Sequence, residues 1–276
     1  MKGMRAFLVI SVLLLSSPCV NADDWDAYNQ WWLSHYYSFD PKAFTNISCE
    51  VSSSLVDEGT AALLVSHPSV KAGTALYEVS VDNAGTIHIS DPALQLVAVD
   101  PSRAATVPLV AEMVQSKYQL LAATIDRDIK GILDNYTPPD RKNAVIEKFV
   151  LDEDGAVVTR RDIDVDSIST ATIHGADLSA QSTQSATFGG QVVHAQGVVT
   201  MHFEMADGKY VPVSEEEDVI QQSGVTKLHL VVKTTIDYQY LSGIRFPKTA
   251  DFTDERGSDL NGTENRVEFK NCKVTK

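Results

Sequence analysis

Residues 227–240, KLHLVVKTTIDYQY, constrain the fold more than any other stretch of the chain. Every second residue, Leu228, Leu230, Val232, Thr234, Ile236, Tyr238 and Tyr240, belongs to an almost wholly apolar or aromatic set. The residues between them, His229, Val231, Lys233, Thr235, Asp237 and Gln239, are mostly polar. A period of two marks a strand that buries one face. At about 3.3 Å per residue the run reaches on the order of 45 Å, about twice an ordinary strand. So long an apolar face must be covered, either by helices of the chain itself or by a molecule it carries.

The neighbouring sequence continues the strand pattern. Val199, Met201, Phe203 and Met205 form a second alternating face, with Asp207-Gly208 as the turn that follows. Tyr77–Ile89 reads as a hairpin around Asn83-Ala84-Gly85, and Val145–Asp166 as another around Asp152-Glu153-Asp154-Gly155. Phe44–Val51 suggests an early strand, and Val267 and Phe269 begin a last one. Two polar segments, 176–190 (ADLSAQSTQSATFGG) and 251–264, read as loops. Ser214 followed by Glu217 has the spacing of a capping box on a short helix.

Two helices stand out. Trp25, Tyr28, Trp32 and Tyr36 recur at helical spacing near the N-terminus. Between Pro101 and Tyr136 a stripe of Val107, Val110, Val114, Leu121, Ile125, Ile129 and Ile132 predicts a long helix lying on a sheet. Asp126, Arg127, Asp128 and Lys130 read as its wet face, and Pro138-Pro139 as its end. Strands at both ends, hairpin turns and a central helix give an α+β class: an antiparallel sheet with helices on one face.

Residues 1–22 have the build of a cleavable secretory signal: Lys2 and Arg5, an apolar run from Phe7 to Leu15, and Val20-Asn21-Ala22 before the cut. A lipid anchor on Cys19 is the rival reading, disfavoured by Pro18 in front of it. The expected mature chain is one domain, 23–276, periplasmic or secreted, with no transmembrane span. Loss of Lys2 and Arg5 moves the formal charge from −14 to −16, which argues against nucleic acid as a partner. Cys49 and Cys272 then remain, either bridged, as an oxidising compartment favours, or as two buried thiols.

Catalytic signatures are missing: no Gly-x-Ser-x-Gly, no His-Glu-x-x-His, no phosphate-binding glycine loop. The seven histidines are scattered without ligand spacing. Asp162, Asp164 and Asp166 share one side of a strand and read as a solvated face. The sequence therefore calls for no enzyme activity, no metal and no cofactor.

The stretches MHFEMADGKYVPV, KLHLVVKTTIDYQYLSGIRFPKTADF and NRVEFKNCKV, with the signal and early helix, resemble the LolA/LolB-like outer-membrane lipoprotein-sorting superfamily. The resemblance implies a strongly curved antiparallel sheet, an incomplete β-barrel, covered on its concave face by helices. It also implies acyl chains of a lipid or lipoprotein as ligand. Lining candidates on that reading are Val199, Met201, Phe203, Leu228, Leu230, Val232, Ile236 and Tyr238, with Trp32 and Tyr36 on a lid. The alternative is a cell-envelope interaction or scaffold domain with a solid core and an envelope protein as partner.

Overall fold

A computed structural model describes residues 22–40, 42–73, 75–90, 94–134, 144–151, 155–162, 167–188, 191–256 and 259–276. The expected signal segment ahead of residue 22, Pro138-Pro139, the expected acidic turn at 152–154 and residues 163–166 lie outside the described residues. The elements begin with α1 (Ala22–His35), β1 (Asn46–Ser53), α2 (Ser54–Leu63), β2 (Val70–Ala72), β3 (Tyr77–Asp82), β4 (Ile87–Ser90) and β5 (Leu96–Ala98). A 3-10 turn at Pro101–Thr106 leads into α3 (Val107–Asp134). Strands follow: β6 (Ala144–Leu151), β7 (Gly155–Asp162), β8 (Ser167–His174), β9 (Asp177–Phe188) and β10 (Gln191–Ala206). The last four are β11 (Lys209–Ser223), β12 (Thr226–Leu241), β13 (Ile244–Arg256) and β14 (Asp259–Thr275).

Twelve strands form one antiparallel sheet in the order β4-β3-β1-β14-β13-β12-β11-β10-β9-β8-β7-β6. From β6 to β14 the chain is a meander in which each strand pairs with the next. The β1–β14 ladder joins this meander to the N-terminal strands, and the Cys49–Cys272 disulfide crosses that seam. The sheet is open, with β4 and β6 at its edges. The remaining strands, β2 and β5, pair separately.

One register row crosses the meander: Ile173, Leu178, Met201, Glu215, Thr234, Phe252 and Asn265 stand opposite one another in sequence. Opposed residues share a face, so this row defines one side of the sheet. At one end α1 packs there: Trp25 and Tyr36 join Ile146, Val158, Ile173 and Phe203 in a buried cluster. Toward the other end, Tyr118, Ala122, Ile125 and Ile129 of α3 pack with Val51, Tyr77, Ala250 and Val267. The expected α3 stripe is thus buried where it meets the sheet. Its first half rests instead on α2 and the small sheet, with Val110 and Val114 against Leu64 and Val70. Helix α2 begins where Ser53 Oγ accepts the Val56 N–H, a side-chain N-cap.

Three sequence expectations are corrected. Residues 176–190 are not a loop: residues 177–188 form β9, paired on both sides. Its inner side carries Leu178, Ala180, Ser182 and Gln184, too little apolar contrast to betray a strand. Residues 251–264 are mostly strand as well, divided between β13 and β14. Ser214 and Glu217 cap no helix; both lie within β11, where the acidic run alternates across the two faces.

Candidate functional site

Strand β12 is buried unevenly. Thr234 and Ile236 are buried and Leu230 and Val232 half-buried, whereas Leu228 is 42 % exposed. The C-terminal half of α3 does not lie flush on the central strands. A cavity of about 380 Å³ separates them. Its helix wall is Arg127, Asp128, Gly131 and Ile132. Its floor includes Leu230, Val232, Thr234 and Ile236 of β12, Phe252 of β13, and Glu215, Glu217 and Val219 of β11. Toward β9 the floor is small or neutral: Ala195, Gly197 and Ser182, with Gln184 and Gln221 at the margin.

The small residues help to make the space. A Cβ on Gly197 would come within 3.2 Å of Val219 Cγ2 and 3.3 Å of Ser182 Oγ, so the missing side chain leaves room beside both. Larger residues at 195 and 197 would fill the floor.

Charge in the cavity is mostly negative. Asp128, expected on the wet face of α3, is instead largely covered: its side chain is 15 % exposed. Burial pushes its carboxyl above the ordinary range, an effect opposed by the Arg127 guanidinium 3.6 Å away and by Asn265. Asn265 Nδ2 donates to Asp128 Oδ2 at 3.3 Å, while Asn265 Oδ1 accepts from Ser53 Oγ at 2.8 Å and from the Leu55 N–H. Asn265 is itself buried. This chain of bonds fixes Asp128 to the start of α2 and to β14. Glu215 and Glu217, half-buried, stand on the opposite wall.

The sequence-predicted lining residues divide into groups. Leu230, Val232 and Ile236 line the cavity. Tyr36 and Phe203 are buried in the aromatic cluster under α1, with Trp32 and Met201 packed against it. There Trp32 stacks on Tyr36 at 4.4 Å between centroids, Tyr36 meets Phe203 at 4.9 Å, and Tyr36 Oη donates to the Gly175 carbonyl at 2.8 Å. Val199 lies on the inner face between Ala180 and Glu217. Tyr238 packs on the main core, its hydroxyl donating to the Pro212 carbonyl. Leu228 lies near the solvent end of its strand. Asp128, Ile132, Glu215, Glu217 and Phe252 were not among the sequence candidates. Asp128 is three residues from Ile125 and four from Ile132 on α3, the spacing that aligned it with the apolar stripe.

The opposite face of the sheet carries a groove of about 440 Å³ with Thr172, Ser179, Thr200 and Thr235 among its lining. Its charges are paired in the open, His202 with Asp177 at 2.9 Å and Lys233 with Glu216 at 3.6 Å. Exposed pairs of this kind add little stability, and the face has the composition of a solvated surface. Among the described residues there is no group of three or more His, Cys, Asp or Glu placed to hold a metal, and no helix long and apolar enough to cross a membrane. No protein-family model, curated protein or solved structure matches the chain.

Proposed function

We propose that the chain is a secreted or periplasmic, non-enzymatic binding protein that holds an apolar ligand between α3 and the central strands. The observation that carries this reading is the cavity itself. It opens where the inner face of β12 parts from α3, and Leu230, Val232, Ile236, Ile132 and Phe252 supply its apolar lining. Its volume falls in the range of about 300–1,000 Å³ typical of small-molecule sites. Transfer of an acyl chain onto such a floor gains roughly 25 cal/mol per Å² of apolar area. On this reading the sheet is a strongly curved, incomplete barrel and the helices lie over its concave side, as the likeness to lipoprotein-sorting proteins implies.

The walls narrow the ligand class. With Asp128, Glu215 and Glu217 on both sides and Arg127 alone against them, an anionic headgroup meets net repulsion. An acyl chain with a neutral or cationic head fits the charge.

The test is titration with a fluorescent fatty amine and a fluorescent fatty acid, alongside native mass spectrometry of protein purified without delipidation. Ala195, half-buried on β10, points into the cavity floor, so Ala195→Trp fills the space and is expected to abolish probe binding while circular dichroism stays unchanged. Leu230→Arg is expected to do the same. A clean apo mass with no binding of either probe by the natural chain would sink the proposal.

A second reading, a docking domain of the cell envelope, draws on one observation. Leu109, Met113 and Leu120, each more than 60 % exposed, line one side of α3. Apolar side chains gathered on one exposed side suit a protein partner.

A further inference from the structure

The two edges of the open sheet differ. Strand β4 has four residues, and short edge strands are a common way to prevent unwanted pairing. Strand β6 has eight, AVIEKFVL. It pairs with β7 on one side alone, and among the described residues no backbone hydrogen bond from another element reaches its free edge. Helix α1 covers its inner side, where Ile146 is buried and Phe149 contacts Tyr28 and Trp31. The outer side is left with Val145 at 39 % and Val150 at 45 % exposure.

This strand is complementary to its own reverse. Counted outward from its centre, Glu147 meets Lys148, Ile146 meets Phe149, and Val145 meets Val150. In a regular strand such pairs cannot form around a two-fold axis, because residues an odd number apart point to opposite faces. The β-bulge between Ile146 and Lys148 removes that obstacle. Through the extra residue, Ile146 and Phe149 share the inner side in one cluster. Val145 and Val150, opposite Arg161 and Val157, share the outer one. Glu147 joins them there, accepting from Arg161 Nε at 2.5 Å.

We propose that β6 pairs antiparallel with β6 of a second copy, about a two-fold axis between Glu147 and Lys148, to join the two sheets into one. Charge complementarity selects this occupant. Each Lys148 ammonium lies against the partner's Glu147 carboxylate, beside the partner's Arg161. Each Val145 lies against the partner's Val150. The bulge, usually a device that protects an edge, here sets the register of the dimer.

The test is sedimentation equilibrium across a concentration series, combined with site-directed cross-linking. The natural chain is expected to rise to twice its own mass. Lys148→Glu puts like charges together at two symmetric positions and is expected to weaken association about tenfold. Lys148 is exposed, so circular dichroism should not change. Under mild oxidation the V145C/V150C double variant is expected to form a covalent dimer. V145C and V150C should each remain uncrosslinked alone but should crosslink to each other when mixed, which reports this register and no other. A chain that stays monomeric at hundreds of micromolar, with no crosslink in the double variant, would overturn the proposal. So would crosslinking of V145C to itself.

Discussion

At the scale of single residues, Asp128 shows how the cavity taxes the fold. Its carboxyl is covered by protein, with Asn265 as hydrogen-bond donor and Arg127 as its nearest cation. Burial raises its pKa above the ordinary 3.8. A carboxyl with a raised folded-state pKa penalises the fold whenever it is ionised in both states. The penalty is therefore present at neutral pH. It declines as the pH falls through the folded value and vanishes below about 3.8. Asp128→Asn keeps an acceptor for Asn265 and removes the charge. We expect it to raise the unfolding temperature at pH 7, with the gain holding until the pH approaches the folded value and shrinking from there toward pH 3.5. Calorimetric scans of both proteins across that range check the sign. A gain that is constant with pH would mean that desolvation of the carboxylate is not its source. Such a residue was hard to see in the sequence. Asp126, Arg127, Asp128 and Lys130 form one charged run, and only packing separates the covered Asp128 from exposed Arg127.

Among elements, strand β7 offers a sharp test of the meander. It starts at Gly155, where a Cβ would lie 1.8 Å from the Ile173 carbonyl oxygen. The obstacle is backbone of the paired strand β8, which cannot swing aside as a side chain can. Gly155→Ala is expected to cost about 1–3 kcal/mol, measured as a fall in the urea midpoint with an unchanged slope. An unaffected midpoint would mean that the β7–β8 end yields to a side chain at position 155 without loss of pairing. The same meander explains which elements the sequence revealed. Strand β12 was legible because Leu230, Val232 and Ile236 contrast with Lys233, Thr235 and Asp237 on the other side. The hairpin of β3 and β4 and the α3 stripe were legible for the same reason. Strand β9 lacked that contrast, since its inner residues Ala180, Ser182 and Gln184 are small or polar and half-buried, and the last two line the cavity. In β11, Glu215 and Glu217 occupy the inner face themselves, so the alternation was present in geometry but absent in polarity. The features that hid these strands are the features that line the cavity.

For the whole molecule, topology concentrates the long-range organisation on one seam. Strands β6–β14 pair with their sequence neighbours, so each ladder needs only a hairpin's loop closure. The β1–β14 ladder is different, because it brings Asn46–Ser53 against residues more than two hundred positions away. The Cys49–Cys272 bridge, with a sequence separation of 223, sits within that ladder, at the point where the register shifts between Ser48 and Glu50. In the chain-entropy account, a crosslink closing so long a loop restricts the unfolded state by about 5 kcal/mol, an upper bound for real proteins. Its removal should therefore act on one part of the sheet. In a Cys49→Ser, Cys272→Ser variant, β1, β3 and β4 are expected to exchange their amide hydrogens much faster. Strands β9–β12, held by local hairpins, are expected to keep their protection. The urea midpoint should fall with the seam. Faster exchange spread evenly over all twelve strands would show instead that the sheet unfolds as one cooperative unit and that the bridge stabilises it as a whole. The selective pattern would make the meander a unit that holds its shape when the N-terminal strands detach. Since α3 contributes to the core shared with those strands, the cavity between α3 and β12 should then loosen as well. On the proposed reading, binding of the fatty-amine probe by this variant is expected to weaken in step with exchange in β1.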